Sequence, residues 1–87
     1  MYEIKLSKNI IKFLKKQKLQ AIVIQLEYCL NLLKKNPLIN SLDIKKLRWF
    51  ENQYRLRVWD YRLLYEIFEN ELIIYCVEIW SRGDIYK

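Results

Sequence analysis

The periodicity of apolar residues in this chain changes once, around Pro37, and that change limits the folds open to it. Between residues 19 and 36, Leu19, Ile22, Val23, Leu26, Cys29, Leu30 and Leu33 recur at three- and four-residue steps, the signature of an amphipathic helix. Lys34 and Lys35 fall in its last turn, where cations suit the helix dipole, and Pro37 enforces the stop. Upstream, Ile10, Ile11, Phe13 and Leu14 form an apolar stripe among lysines over residues 8–17, a second amphipathic helix with Ser7 as its N-cap. Residues 2–6 alternate and predict a short strand.

Beyond Pro37 the period becomes two. Residues 38–44 are expected to be a loop. Lys46–Phe50, Tyr54–Trp59, Tyr61–Phe68 and Leu72–Trp80 are expected to be strands, with turns at Glu51-Asn52-Gln53 and around Asn70. The order is strand, helix, helix, then three or four strands joined by tight turns. This predicts an α+β fold, an antiparallel sheet with both helices packed on one face. A chain of 87 residues is long enough for one such domain and too short for two, so residues 1–87 are expected to be a single domain.

One face of that sheet is then left open, and alternation says what occupies it. Tyr54, Leu56 and Val58 point one way and Arg55 and Arg57 the other. In the next strand Tyr61, Leu63, Tyr65 and Ile67 alternate with Arg62, Leu64, Glu66 and Phe68. With the more apolar sets against the helices, Arg55, Arg57 and Arg62 share the open face.

Charge points the same way. The net charge is +6, which invites a polyanionic partner. Residues 1–40 carry eight Lys and no Arg, whereas residues 41–87 carry all five Arg: Arg48, Arg55, Arg57, Arg62 and Arg82. Lysine is a mobile, hydrated point charge, while arginine presents a rigid fork suited to phosphate oxygens. A solvated sheet face is the alternative reading of the arginines. A lysine-rich helix pair also suits an anionic membrane surface, although a sheet of this kind needs the helices as cover.

Cys29 and Cys76 each sit in an apolar run, which suggests buried thiols rather than a disulfide. The chain has no His and no Cys-x-x-Cys spacing, so neither a zinc site nor any other metal or cofactor is expected. No secretory h-region and no long apolar run is visible, so the expected location is the cytoplasm.

Three blocks resemble the RelE/ParE toxin superfamily. The first is Asn36-Pro37-Leu38 after the long helix, followed by Lys46-Leu47. The second runs Tyr54-Arg55-Leu56-Arg57-Val58-Trp59-Asp60-Tyr61-Arg62-Leu63-Leu64-Tyr65-Glu66-Ile67, with three Arg and three Tyr in register. The third is Ile79-Trp80-Ser81-Arg82-Gly83-Asp84-Ile85-Tyr86. The likeness covers nearly the whole chain. It implies the toxin of a type II toxin–antitoxin system, of the RelE type, that cleaves mRNA on the ribosome and inhibits translation. It also implies an acidic antitoxin partner, with neither a membrane nor a small-molecule substrate. Carried over residue by residue, the likeness makes Arg62, Arg82 and Tyr86 the catalytic set, with Arg55 and Arg57 holding RNA phosphates. Glu66 and Asp84 are alternative bases. A toxin of the same fold that poisons DNA gyrase, and a catalytically inactive antitoxin-binding module, are the competing functions.

The chain departs from the family pattern in three places. Trp59 and Trp80 stand where glycine is usual, and Ser81 where histidine is frequent. Because tryptophan does not readily take positive φ, the hairpin at Trp59 is expected to adopt a different geometry. Trp49, Trp59 and Trp80 could fill the sheet's rim or anchor a partner.

Overall fold

The computed structural model describes residues 1–16, 20–48 and 51–81. Its elements are β1 (Glu3–Leu6), α1 (Lys8–Lys16), α2 (Gln20–Lys35), β2 (Asp43–Lys46), β3 (Gln53–Val58), β4 (Tyr61–Phe68) and β5 (Ile73–Ser81). The five strands form a sheet in the order β1-β5-β4-β3-β2. The fold is α+β, as expected. The β2-β3-β4-β5 run is antiparallel, and β1 adds to β5 in parallel, so the sheet is mixed.

Both helices cover one face. Ile10 of α1 and Ile22, Leu26, Cys29 and Leu33 of α2 are buried against Leu56, Val58, Leu63, Tyr65, Ile67, Ile74, Cys76 and Ile79 of the sheet. The α2 residues are those whose spacing predicted its apolar stripe. Burial of the two thiols fits their role as small apolar groups. Burial also pushes the Cys76 thiol up to about 12 and raises that of Cys29.

Two polar side chains tie the layers together. Ser7 caps α1: its Oγ accepts from the Ile10 amide at 3.3 Å, and its hydroxyl donates to the Val77 carbonyl at 2.6 Å. Tyr65 is wholly buried, and its hydroxyl donates to the Pro37 carbonyl at 2.8 Å, fastening β4 to the turn after α2. Its ring stacks on Tyr54 with centroids 5.8 Å apart. Burial, reinforced by Tyr54 and Cys76, raises the Tyr65 phenol above its ordinary value.

The structure corrects three expectations. The strand after the helices is Asp43–Lys46, not Lys46–Phe50, so the expected loop ends earlier; Trp49 and Phe50 lie outside the described residues. This strand is a four-residue edge with one half-buried apolar residue, Ile44, too short to show alternation. Second, β5 is not regular. Its pairing with β4 slips between Leu64, opposite Glu78, and Tyr65, opposite Cys76, leaving Val77 as the extra residue of a bulge. The bulge lets both Cys76 and Ile79 face the core and turns Glu78 and Trp80 to the open face. Third, Trp59 does take positive φ, 55°, in the two-residue turn between Val58 and Tyr61. Leu72, at the end of the β4–β5 turn, has the same φ; its carbonyl receives the Glu3 amide at 2.8 Å, where β1 joins β5.

Candidate nucleic-acid interface

The face opposite the helices is organised by register. Residues paired across neighbouring strands point the same way, so rows can be followed across the sheet. One row runs Asp43, Arg57, Arg62, Trp80; the next runs Lys45, Arg55, Leu64, Glu78. Arg55, Arg57 and Arg62 thus share the face that alternation assigned them. Lys45 joins them beside Arg55, a cation the sequence reading missed because β2 carries no legible periodicity.

Arg57 and Arg62 face each other directly across the β3–β4 hairpin. Directly opposed residues have Cβ atoms about 4.5–5.5 Å apart, and like charges at that spacing destabilise a sheet. Among the described residues, neither guanidinium is paired with a carboxylate. Asp43 stands opposite Arg57, yet the Arg57 Nε donates to the Trp59 carbonyl at 3.3 Å. Arg62 Nη1 donates to its neighbour's carbonyl, that of Tyr61, at 3.4 Å. Two other carboxylates of this face are engaged elsewhere. Glu66 accepts from Gln53 Nε2 at 2.8 Å and Glu78 from Asn9 Nδ2 at 2.9 Å. The Gln53 contact ties Glu66 to the facing strand β3.

Two buried donors on this face, Arg55 Nε and Trp80 Nε1, have no hydrogen-bond partner among the described residues. An unsatisfied buried donor typically costs about 1–3 kcal/mol, so the face carries both unbalanced charge and unmet donor capacity. Arg82, Asp84 and Tyr86 lie outside the described residues. Trp80 is half-buried opposite Arg62, and Trp59, at the turn, is 53% exposed.

The helix side carries a second kind of surface. Lys8, Lys12, Lys15 and Lys16 of α1 are exposed around a partly exposed Ile11. On α2, Ile24 is 64% and Tyr28 58% exposed, one turn apart and away from the buried stripe. A helix apolar on two sides has one of them unpartnered. No helix among the described residues is long and apolar enough to cross a membrane.

The family described as "ParE toxin of type II toxin-antitoxin system, parDE" matches residues 4–86. No curated protein matches significantly. Among solved structures, the chain is similar to one in the archaeal RelE–RelB complex of Pyrococcus horikoshii OT3. The two are 25% identical with a TM-score of 0.83, over 94% of this chain and 96% of the other. A chain of the RelB–RelE antitoxin–toxin complex of Methanococcus jannaschii is 26% identical, with a TM-score of 0.77 and 95% coverage of both. The isolated E. coli RelE toxin shares the fold at 19% identity, with a TM-score of 0.78 over 93% of this chain and 84% of that one.

Proposed function

The chain belongs to the ParE toxin family of type II toxin–antitoxin systems, within the RelE/ParE superfamily, and from that premise we propose that it is a ribosome-dependent endoribonuclease that cleaves mRNA. The observation that carries this reading is the opposed pair Arg57 and Arg62 on the face away from the helices, neither of them paired with a carboxylate among the described residues. A fold tolerates two guanidinium groups in that position when an anion is to come between them.

Cleavage by an RNA 2′-hydroxyl forms an O2′–P bond and breaks the P–O5′ bond. It needs a proton removed from O2′, charge stabilisation on the pentacoordinate phosphate, and a proton for O5′. Arg62 and Arg82 are assigned the phosphate, where forked donors best match the developing charge. Arg55 and Arg57 hold flanking phosphates. Tyr86 is assigned the proton transfer, as the phenol nearest in sequence to Arg82. Ribosomal positioning of the message supplies the remaining rate by fixing the reacting geometry. The partner is an acidic, amphipathic antitoxin segment on the helix side, where Ile24 and Tyr28 of α2 are exposed and the exposed Ile11 of α1 lies among lysines. The chain acts in the cytoplasm as a single domain.

The matched family's description as ParE favours one alternative, a gyrase poison on the same scaffold. Regulated expression, with translation and DNA-damage reporters read side by side, separates the two. Translation arrest that is lost with Arg62→Ala supports the ribonuclease. A DNA-damage response with translation intact overturns it.

A further inference from the structure

Trp59 combines two features that are costly together. Its backbone sits at φ 55°, a region in which bulky residues are rare outliers and glycine pays no steric penalty. Its side chain is 53% exposed, so packing does not repay the strain. The other residue at this φ, Leu72, has a structural reason, since its carbonyl starts the β1–β5 pairing. Trp59 has a local tie instead: its carbonyl holds Arg57 Nε at 3.3 Å. The backbone of Trp59 is therefore tied to the strand carrying Arg55 and Arg57, and its indole starts from the turn beside the Arg57–Arg62 pair. Strain kept at an exposed position beside a charged site points to use of the side chain.

We propose that Trp59 is a positioning residue of the RNA site: its indole stacks on an unpaired base of the message while Arg57 and Arg62 hold the adjoining phosphates. The proposal rests on the ribonuclease reading above. Unpaired bases are held by stacking on aromatic faces next to cationic backbone contacts, a pairing sequence-tolerant enough to serve many messages. A protein anchor is the competing use of an exposed tryptophan. RNA is favoured because the residue is bonded to an arginine of the open face, whereas the exposed apolar residues of α1 and α2 lie on the helix side.

The test is a series at this position, Trp59→Gly, Trp59→Leu and Trp59→Phe. It is assayed by single-turnover cleavage of a ribosome-bound message, thermal unfolding and co-purification with the antitoxin. Trp59→Gly should raise the unfolding midpoint, since glycine relieves the turn. Trp59→Gly and Trp59→Leu should both raise the toxin concentration giving half-maximal rate by about 5- to 150-fold, while the rate at saturation is retained. Trp59→Phe should stay near wild type, and all three should keep the antitoxin. An abasic nucleotide at one position near the cut should penalise wild type by a similar factor and Trp59→Gly hardly at all. Wild-type saturation by the Gly and Leu variants overturns the proposal, as does a Phe variant no better than Leu. Antitoxin lost with cleavage unchanged assigns Trp59 to the protein partner and also overturns it. Arg62→Ala in the same assay separates the two levels. If Arg62→Ala is inactive and the Trp59 variants are normal, only this inference fails; if wild type itself leaves the message uncut, the ribonuclease reading fails and takes this inference with it.

Discussion

Arg62 makes opposite predictions for stability and for activity. It faces Arg57 across the hairpin with no carboxylate paired to either among the described residues, so the folded state bears a repulsion that the unfolded chain largely escapes. Arg62→Leu should therefore raise the free energy of unfolding by about 0.2–1 kcal/mol, the range for a cross-strand pair. It should also lower cleavage of a ribosome-bound message by about a hundred- to a thousandfold, the usual loss when a transition-state donor is removed. Arg62→Lys should restore the repulsion but little of the rate, because one ammonium does not reproduce the fork. Urea denaturation and single-turnover cleavage on the same preparations check both halves. A Leu variant that is destabilised and fully active would assign Arg62 to packing. The buried acids supply a second prediction. The phenol of Tyr65 and the thiols of Cys29 and Cys76 are all raised by burial, so the folded state keeps their protons when the unfolded chain has lost them. Their contribution is fully present below the ordinary thiol and phenol values, 9 and 10, and declines as pH rises beyond them. Stability in reducing buffer should stay flat with respect to these groups near neutrality. From about pH 9 it should fall, by at most about 1.4 kcal/mol per pH unit for each group. A flat profile to pH 11 would mean that the three groups are not buried as described.

Among the elements, the joint between β1 and α1 is where a small change should cost most. Ser7 both caps α1 and satisfies the carbonyl of the bulge residue Val77, while its own amide donates to Cys76 at 2.9 Å. Ser7→Ala loses the cap and strands a partly buried carbonyl, a combined cost of about 2 kcal/mol or more. Ser7→Thr should recover most of it. Denaturant midpoints of the two variants decide the matter, and a loss below about 0.5 kcal/mol for Ala would show that water serves the bulge equally well. The cap was legible in the sequence, and so were α1, α2, β3 and β4, because each has enough apolar residues at one period to declare itself. The bulge was not: nothing in Val77 marks it, and it arises because Cys76 and Ile79 both belong in the core while strict alternation allows only one of them. The parallel pairing of β1 with β5 was equally hidden, since it joins the two ends of the sequence with no turn between them to read. In the site, the shared face of Arg55, Arg57 and Arg62 followed from alternation alone. Lys45 did not, because Asp43–Lys46 offers a single apolar residue. Trp59 was noticed in the sequence, yet its geometry came out opposite to expectation: the hairpin register holds and the residue absorbs the strain.

For the molecule as a whole, the two layers divide the positive charge into two kinds. The helix side has exposed lysines around Ile11 of α1, and the sheet side has arginines held in rows by strand pairing. A diffuse field and fixed phosphate contacts differ in their response to salt. Each phosphate neutralised on single-stranded RNA releases counterions and contributes about −0.7 to the slope of log affinity against log salt. If Arg55, Arg57 and Arg62 each engage a phosphate, these three should together give a slope of about −2 for single-stranded RNA. Arg57→Ala should then make the slope shallower by about 0.7, since one contact is gone. Lys12→Gln together with Lys15→Gln, on α1, should weaken binding only through the long-range field, a loss that vanishes near physiological salt, where the screening length is about 8 Å. The same lysine pair should weaken capture of an acidic antitoxin segment, and Arg57→Ala should leave that capture intact. Fluorescence anisotropy with a labelled RNA, repeated across a salt series for each variant, reads the slopes directly. If the lysine variants flatten the RNA slope and Arg57→Ala does not, the nucleic acid lies on the helices, and the antitoxin must be sought on the sheet.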